Sequence, residues 1–149
     1  METQRPEEHP REWGTELWIA NESEYSGKIL LLKDGWMSTV HYHKEKLETL
    51  YIREGKLVMQ LFDDKTVKAL ERKQDALLVP REEVVVLPGS SLLMPRLQAH
   101  RLIALSDVEI IEFATHCRDE DSFRLTARGR LTEAERARLE GLWKARKER

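Results

Sequence analysis

The sequence predicts an all-β fold, a sandwich or small barrel, that ends in a short α-helix. Short apolar segments recur along the chain, and turn-forming pairs such as Asp34-Gly35, Glu54-Gly55 and Pro88-Gly89 separate them. Apolar residues at helical spacing follow only near the C-terminus. With 149 residues, one domain can bury a core without disulfides.

The central part of the chain, residues 13–124, is expected to hold the strands of the barrel. Each predicted strand is a run of apolar or alternating residues between two turn signals. Many short strands at this spacing are typical of a sandwich or a closed barrel. The expected strands are residues 16–20, 28–33, 37–43, 48–53, 56–62, 66–70, 76–79, 84–87, 92–94, 101–105 and 108–115.

The two ends of the chain are expected to lie outside the barrel. Residues 1–12 are polar and contain two prolines, so we expect a mobile N-terminal arm with His9 as a surface residue. Residues 125–149 are expected to form a helical extension. Thr132 and Glu135 have the spacing of a capping box, and an apolar stripe follows that can dock on the barrel or on a second subunit.

The overall charge and the single cysteine restrict the class of protein. The chain has 25 Lys+Arg against 27 Asp+Glu, which gives no reason to expect nucleic acid or a membrane as a partner. No apolar run is long enough for a signal peptide or a membrane span. Cys117 has no cysteine partner in the chain, so a reducing compartment, the cytoplasm, is predicted.

Two histidines and a carboxylate mark a metal site. His41 and His43 are two residues apart, so on a strand both imidazoles point to the same face, and Glu48 follows after a short charged loop. Imidazole and carboxylate ligands suit borderline divalent metals and leave coordination positions open for water or substrate. His100, beside a later strand, is the expected fourth ligand.

These residues stand at spacings that resemble the two motifs of the cupin superfamily. The first motif is matched at every position, by Gly35, His41, His43, Glu48 and Gly55. The second is matched in part, by Gly89, Pro95 and His100. Leu97 stands where the family has glycine, and Ala104 where it often has asparagine. A β-carbon is poorly tolerated at a position that needs a positive φ.

The resemblance implies a double-stranded β-helix, the jelly-roll barrel, over about residues 13–124. It also implies one divalent metal ion, Fe, Mn, Zn, Ni or Co, on His41, His43, Glu48 and His100, and a homodimer. Flanking segments such as residues 13–18 and 112–116 resemble the cupin domain of type II mannose-6-phosphate isomerases and its relatives. A small-molecule ligand, a sugar or sugar phosphate, is therefore expected.

Alternation along the strands predicts which side chains line the cavity. If His41 and His43 point inward, Met37 and Thr39 do so too, and Thr39 becomes a substrate contact. Ser38, Val40 and Tyr42 are then expected on the opposite face. After Glu48, the same alternation directs Leu50 and Ile52 inward.

The last predicted strand, residues 108–115, is ambiguous, because both of its alternating sets contain apolar residues. If the set with Val108 and Ile110 faces inward, Glu112 and His116 become acid or base groups beside the metal. Otherwise Glu112 is an exposed edge carboxylate and His116 a loop histidine.

Basic side chains near the strand ends offer contacts for an anionic group on the ligand, or are simply solvated. Lys44 and Lys46 are the favoured contacts, because they lie in the loop that joins two ligand-bearing strands. The wider set comprises Lys28, Lys44, Lys46, Arg53, Arg96 and Arg101.

Three functions follow from this interpretation. The first is a metal-dependent isomerase or epimerase of a sugar or sugar phosphate, in which the metal polarises a carbonyl. The second is a non-haem iron dioxygenase with the same ligands. The third is a non-catalytic cupin that binds a sugar or another small molecule.

Overall fold

The structure, a computed structural model, describes residues 1–74 and 78–147 of the chain. Thirteen strands and two α-helices are formed within these residues. The strands are β1 (Glu7–Arg11), β2 (Gly14–Asn21), β3 (Ser26–Leu32), β4 (Trp36–Met37), β5 (His41–Tyr42), β6 (Glu48–Glu54), β7 (Leu57–Phe62), β8 (Glu82–Val86), β9 (Ser91–Met94), β10 (Ala99–Ala104), β11 (Val108–Ala114), β12 (Phe123–Arg124) and β13 (Gly129–Arg130). The helices are α1 (Asp64–Glu71) and α2 (Glu133–Lys147), and a single 3-10 turn spans Asp119–Asp121.

The strands make two antiparallel sheets that face each other. One has six strands in the order β1-β2-β3-β11-β6-β9. The other has seven, with the order β12-β5-β10-β4-β13, while β7 pairs with β10 and β8 with β7. Several neighbouring strands, such as β3 and β11 or β4 and β10, are far apart in sequence, as in a jelly roll, so the predicted cupin-type barrel is confirmed.

The main core lies between the sheets and uses one face of each strand. In β6, Leu50 and Ile52 are buried, which confirms their predicted inward direction. They pack in one cluster with Leu30 of β3, Met59 of β7 and Ile110 of β11. Leu30 and Leu50 of this cluster also line the cavity described below.

Helix α2 docks on the outer face of the seven-stranded sheet. Its N-terminus has the predicted cap, since the Thr132 hydroxyl accepts a hydrogen bond of 3.2 Å from the Glu135 amide. Leu139 and Trp143 are buried against a cluster that includes Ile103 of β10. Of the two alternatives for the apolar stripe, the structure therefore has docking on the barrel.

Two regions differ from the strand predictions. Residues 64–71 form α1 where a strand was expected at 66–70, because the Asp63 carboxylate caps the helix by accepting a hydrogen bond of 2.8 Å from the Thr66 amide. The strand expected at 76–79 lies partly outside the described residues, and the described residues 78 and 79 are not in a strand.

The ends of the chain also contribute strands, where a mobile arm and a purely helical extension were expected. Glu7–Arg11 form β1, which pairs antiparallel with β2 along its full length. This pairing uses main-chain hydrogen bonds at a sheet edge, so it needs no apolar pattern in the sequence. Gly129–Arg130 form β13 beside β4.

The strand expected at 37–43 is divided into β4 and β5, and this changes which side chains face the cavity. Residues 38–40 are not in a strand, so the alternation is interrupted. Met37 packs near helix α2, whereas Ser38 lines the cavity, the reverse of the expected directions. Val40 and Tyr42 do lie on the opposite face, in a cluster with Phe62.

Gly55 and Leu97 are at turn positions whose backbone conformations favour glycine. Gly55 has φ +95°, and a β-carbon there would lie 2.1 Å from the Asp107 carbonyl oxygen. Leu97, which stands in place of the glycine of the second cupin motif, has φ +68°. Its amide donates a 2.7 Å hydrogen bond to the His43 carbonyl, so the chain makes the same kind of turn with a β-carbon present.

In residues 1–74 and 78–147, neither helix combines the length and the apolar composition that crossing a bilayer requires.

Candidate metal centre and cavity

One end of the barrel contains a cavity of about 470 Å³. His41, His43 and His100 line it, together with Glu48, Lys46 and Glu112. Leu30, Leu50 and Leu102 form part of its floor. Polar groups able to bind a metal or move a proton are thus collected beside an apolar surface that excludes water.

The three histidines converge because two strands are paired directly across from each other. His41 of β5 and His100 of β10 occupy opposite positions in the ladder, and His43 follows two residues after His41. One ring nitrogen from each histidine lies within 4.8 Å of the other two. The cluster therefore has the size and ligand type of a site for one divalent metal ion.

Backbone carbonyls set the tautomer of every imidazole in the cluster. The Nδ1 atoms of His41, His43 and His100 each lie 2.9 Å from a carbonyl oxygen, of Thr39, Asp121 and Gln98 respectively. A carbonyl only accepts, so each Nδ1 carries the proton and each Nε2 keeps its lone pair. Three orientated lone pairs are what a bound metal requires.

The histidines are also held in the neutral state that binds a metal. Burial, with a further contribution from His100, lowers the pKa of His41 to about 3. Burial, followed by the charge of Lys46, lowers the pKa of His43 to about 4. Burial lowers the pKa of His100 to about 4.

Glu48 places its carboxylate beside this cluster. Its Oε1 atom is 3.6 Å from His100 Nε2 and 4.0 Å from His43 Nε2. Its Oε2 atom instead accepts from the Lys46 ammonium at 2.9 Å. One carboxylate oxygen is thus directed to the histidines and the other to a buried cation, an arrangement that fits the donor set of a His and carboxylate metal site.

Lys46 joins Glu48 to a second buried carboxylate, Glu112. The ammonium lies 3.3 Å from Glu112 Oε1, and all three side chains are buried. Burial alone would lower the pKa of Lys46, but Glu112 and Glu48 raise it above its ordinary value. Lys46 therefore remains charged between the two carboxylates.

Glu112 differs from Glu48 in having an oxygen without a partner. Its Oε2 atom is buried, and among the described residues it accepts no hydrogen bond. Burial, with the negative charge of Glu48, raises the pKa of Glu112 to about 7. An unpartnered carboxyl oxygen that lines a cavity and titrates near neutral pH is suited to exchanging a proton with a ligand.

Asp121 was not expected in the site, yet it holds the loop between the ligand-bearing strands. Its carboxylate accepts hydrogen bonds from the amides of Lys44, Glu45 and Lys46, at 2.9, 3.1 and 2.9 Å. Burial tends to raise the pKa of Asp121, but these amides lower it below its ordinary value. Through its carbonyl, the same residue orients His43.

The remaining predicted site residues divide into one at the cavity and two away from it. Thr39 lines the cavity, and its carbonyl orients His41. Lys44 is exposed, with its ammonium 4.5 Å from the centre of the Phe123 ring. His116 is not among the cavity-lining residues, and its Nδ1 donates to the Glu22 carbonyl at 2.7 Å.

Strand β1 and the segment after Asp121 supply cavity residues that the sequence did not predict. His9 was expected at the surface, but its ring lies 4.5 Å from that of Trp18, and both line the cavity with Arg11. Arg124 and Arg128 line it from the other side. The alternation of β1, in which His9 and Arg11 share a face, was the available signal.

Comparison with known families agrees with this geometry. The model of the D-lyxose isomerase family matches residues 14–137, most of the chain and all of the predicted metal-site residues. The chain belongs to the D-lyxose isomerase family. It is thus a cupin of the sugar isomerase group, as the resemblance of its motifs implied. No curated protein matches the chain.

Solved structures of cupins share the fold at low sequence identity. The capsular polysaccharide assembling protein CapF from Staphylococcus aureus has a TM-score of 0.64 at 14% identity, over 84% of this chain and 33% of its own. A single-residue variant of oxalate decarboxylase from Bacillus subtilis has a TM-score of 0.63 at 17% identity, over 80% of this chain and 30% of its own. KdgF from Halomonas sp. has a TM-score of 0.59 at 16% identity, over 76% of this chain and 91% of its own. The chain spans about a third of the CapF and oxalate decarboxylase chains.

Proposed function

We propose that the protein is a metal-dependent aldose-ketose isomerase that acts on D-lyxose or on a sugar with the same arrangement at its first carbons. One observation carries the proposal: Glu112, whose buried Oε2 atom has no hydrogen-bond partner among the described residues, lines the same cavity as three histidines orientated for a metal. Membership of the D-lyxose isomerase family supports the substrate class.

The proposed metal ligands are His41, His43, Glu48 and His100. A divalent ion bound there supplies Lewis acidity to the oxygens on the first two carbons of the sugar. The neutral imidazoles and the Glu48 oxygen next to them fit such an ion. Asp121 and the carbonyls of residues 39 and 98 keep the ligands in place.

Glu112 is the proposed acid and base. Isomerisation of an aldose removes a proton from C2, delivers one to C1 and moves the hydroxyl proton of C2 to the oxygen of C1. The Glu112 carboxylate takes the C2 proton on Oε2 and returns it to C1, while Lys46 holds Oε1 and so orients the group. The pKa of Glu112, raised to about 7, suits both halves of this transfer.

The test is turnover of D-lyxose in D₂O by protein loaded with Mn²⁺, followed by NMR. We expect ketose to form, with deuterium at C1 to the extent that the proton on Glu112 exchanges with solvent before it is returned, and a chelator to abolish the reaction. Glu112→Gln should lower kcat by at least about a hundredfold. Glu109→Gln is the matched control, because Glu109 lies on the same strand and is not among the cavity-lining residues.

Three results would contradict the proposal. Full activity of Glu112→Gln would remove the assigned role of that residue. Oxygen consumption with a sugar or another substrate, in place of isomerisation, would support the dioxygenase alternative, and binding without turnover would support a non-catalytic cupin.

We also propose a homodimer in the cytoplasm. Leu31, Leu93 and Phe113 are exposed on the outer face of the six-stranded sheet, which supports contact with a second copy. Cys117 is a free cysteine, which suits a reducing compartment. Sedimentation of the wild type and of Phe113→Lys tests the dimer, since the variant should be monomeric if this face is the interface.

A further inference from the structure

The mouth of the cavity is more basic than the site around the histidines. Away from Lys46, Glu48 and Glu112, the charged residues that line it are Arg11, Lys28, Arg124, Arg128, Glu16 and Asp119. Four lining cations thus lie with two lining carboxylates, and a third carboxylate, Glu12, pairs with Arg128 from outside the lining. One positive charge is left in excess, and in a partly enclosed space it attracts an anion.

Three of the cations are arginines from separate parts of the chain. Arg11 is on β1, Arg124 is on β12, and Arg128 precedes β13. Arg128 Nε lies 3.6 Å from a carboxylate oxygen of Glu12, the residue after Arg11, so the two sides of the mouth are close together. The fold therefore places these three arginines in the lining of one cavity.

Arg124 links this mouth to the metal centre. It pairs directly with His41 in the ladder between β12 and β5, so the two side chains lie on the same face of the sheet. An arginine is thus the direct neighbour of a histidine of the metal cluster.

The carboxylates at the mouth hold the arginines without using all their donors. Glu16 accepts from Arg11 Nε at 2.8 Å, and Asp119 accepts from an Arg124 terminal nitrogen at 3.1 Å. A guanidinium has five N–H groups, so donors remain on each arginine for a ligand. Their planar shape matches the oxygens of a carboxylate or a phosphate.

We infer that the substrate carries an oxyanion, a carboxylate or a phosphate, at the end of the sugar far from its carbonyl, and that Arg11, Arg124 and Arg128 bind it. This rests on the proposed function, which puts the carbonyl end at the histidines. It replaces Lys44 as an anion contact, because Lys44 is exposed and is not among the residues lining the cavity. The arginines then select anionic sugars over neutral ones.

Binding and turnover of three related sugars test the inference. D-Mannose extends D-lyxose by one carbon, and D-mannose 6-phosphate and D-mannuronate add an oxyanion at the far end. Dissociation constants for Mn²⁺-loaded protein are measured from the fluorescence of Trp13, Trp18 and Trp36, which line the cavity. We expect at least one anionic sugar to bind about tenfold or more tightly than D-mannose, and the advantage to fall with added salt.

The tighter of the two anionic ligands identifies the oxyanion as phosphate or carboxylate. Arg124→Gln and Arg128→Gln should each reduce the preference for that ligand over D-mannose by about tenfold. Arg53→Gln is the control: Arg53 is an exposed arginine paired with Glu109 and is not a lining residue, so the preference should persist. Because Arg128 is half exposed, Arg128→Gln should fold, and it tests the preference even if Arg124→Gln folds poorly.

Equal binding of neutral and anionic sugars would overturn the inference, as would a preference that survives both arginine substitutions. Either result would leave the proposed isomerase intact if D-lyxose is turned over. If no sugar is isomerised but the arginine-dependent preference is present, the proposed function fails and the anion site stands.

Discussion

Replacing Leu97 by glycine tests whether its positive φ is a real conformational cost at the turn beside the metal centre. A residue with a β-carbon costs about 1–2 kcal/mol in the left-handed region. Leu97→Gly removes that cost but also removes a partly buried side chain, 60% exposed, and adds freedom to the unfolded chain. These opposing terms nearly cancel, so the free energy of unfolding should change by less than about 0.5 kcal/mol.

Leu93 provides a matched control. It lies in strand β9, is 58% exposed, and does not have a positive φ. Leu93→Gly should lose similar burial and gain similar unfolded-state freedom, without relief of backbone strain. We therefore expect it to be about 1–2 kcal/mol less stable than Leu97→Gly, with a Tm lower by roughly 2–8 °C.

Urea unfolding monitored by tryptophan fluorescence measures this difference. Both variants and their reference carry Phe113→Lys as well, so that the loss of Leu93 from the proposed dimer face does not contribute. Metal affinity should be retained in Leu97→Gly, because the hydrogen bond from residue 97 to the His43 carbonyl is made by the backbone. An equal loss of stability in the two variants would refute the reasoning, since it would mean that the turn imposes no cost on leucine.

Three further predictions concern the site and the helix. Asp121→Ala leaves the loop amides without their acceptor, so it should lower the free energy of unfolding by about 3 kcal/mol and the metal affinity by roughly 10–100-fold. Asp119→Ala removes an exposed carboxylate and should change neither the free energy of unfolding nor the metal affinity. Trp143→Ala should lower the free energy of unfolding by about 3–5 kcal/mol in urea titrations, and Lys144→Ala, on the exposed face of α2, by under about 0.5 kcal/mol. The hydrogen bond from Arg138 lowers the pKa of Glu83, so its stabilisation is present above the unfolded-state pKa and is lost as pH falls through the folded-state pKa. The free energy of unfolding of the wild type should thus exceed that of Glu83→Gln by roughly 1 kcal/mol at about pH 7, and this difference should disappear at about pH 3. A difference that does not change with pH would contradict the assignment.

Part of the histidine cluster was predictable because its geometry follows from spacing. His41 and His43 share a face through local alternation, and Gly35 and Gly55 mark the turns at either end of the motif. The inward direction of Leu50 and Ile52 follows from the same alternation in a strand without interruption. Where β4 and β5 separate, alternation no longer predicts direction, and Met37 and Ser38 exchange their expected faces.

Long-range contacts explain most of what the sequence did not predict. Asp121 binds a loop more than seventy residues earlier, and no local pattern records such a contact. Strand β1 is polar throughout and is held by main-chain pairing with β2. Glu112 lay on a strand with two apolar sets, and only the packing of β11 between β3 and β6 determines which set is buried.

Helix α1 was not predicted for a different reason: its short sequence suits both a strand and a helix. Thr66 and Val67 favour a strand, whereas Asp63 supplies a helix N-cap. The pair Asp63-Asp64 suits a turn as well as the start of a helix. A cap followed by residues of mixed propensity is therefore a stronger signal than the propensities alone.

Metal content tests the central claim most directly. Protein purified without chelator and loaded with Mn²⁺ should retain about one ion per chain after desalting, as measured by elemental analysis. His100→Ala should lose the ion, while His116→Ala should keep it, because His116 is not among the residues that line the cavity. A wild type that binds no ion, or a His100→Ala variant that retains one, would contradict the assignment of the metal centre.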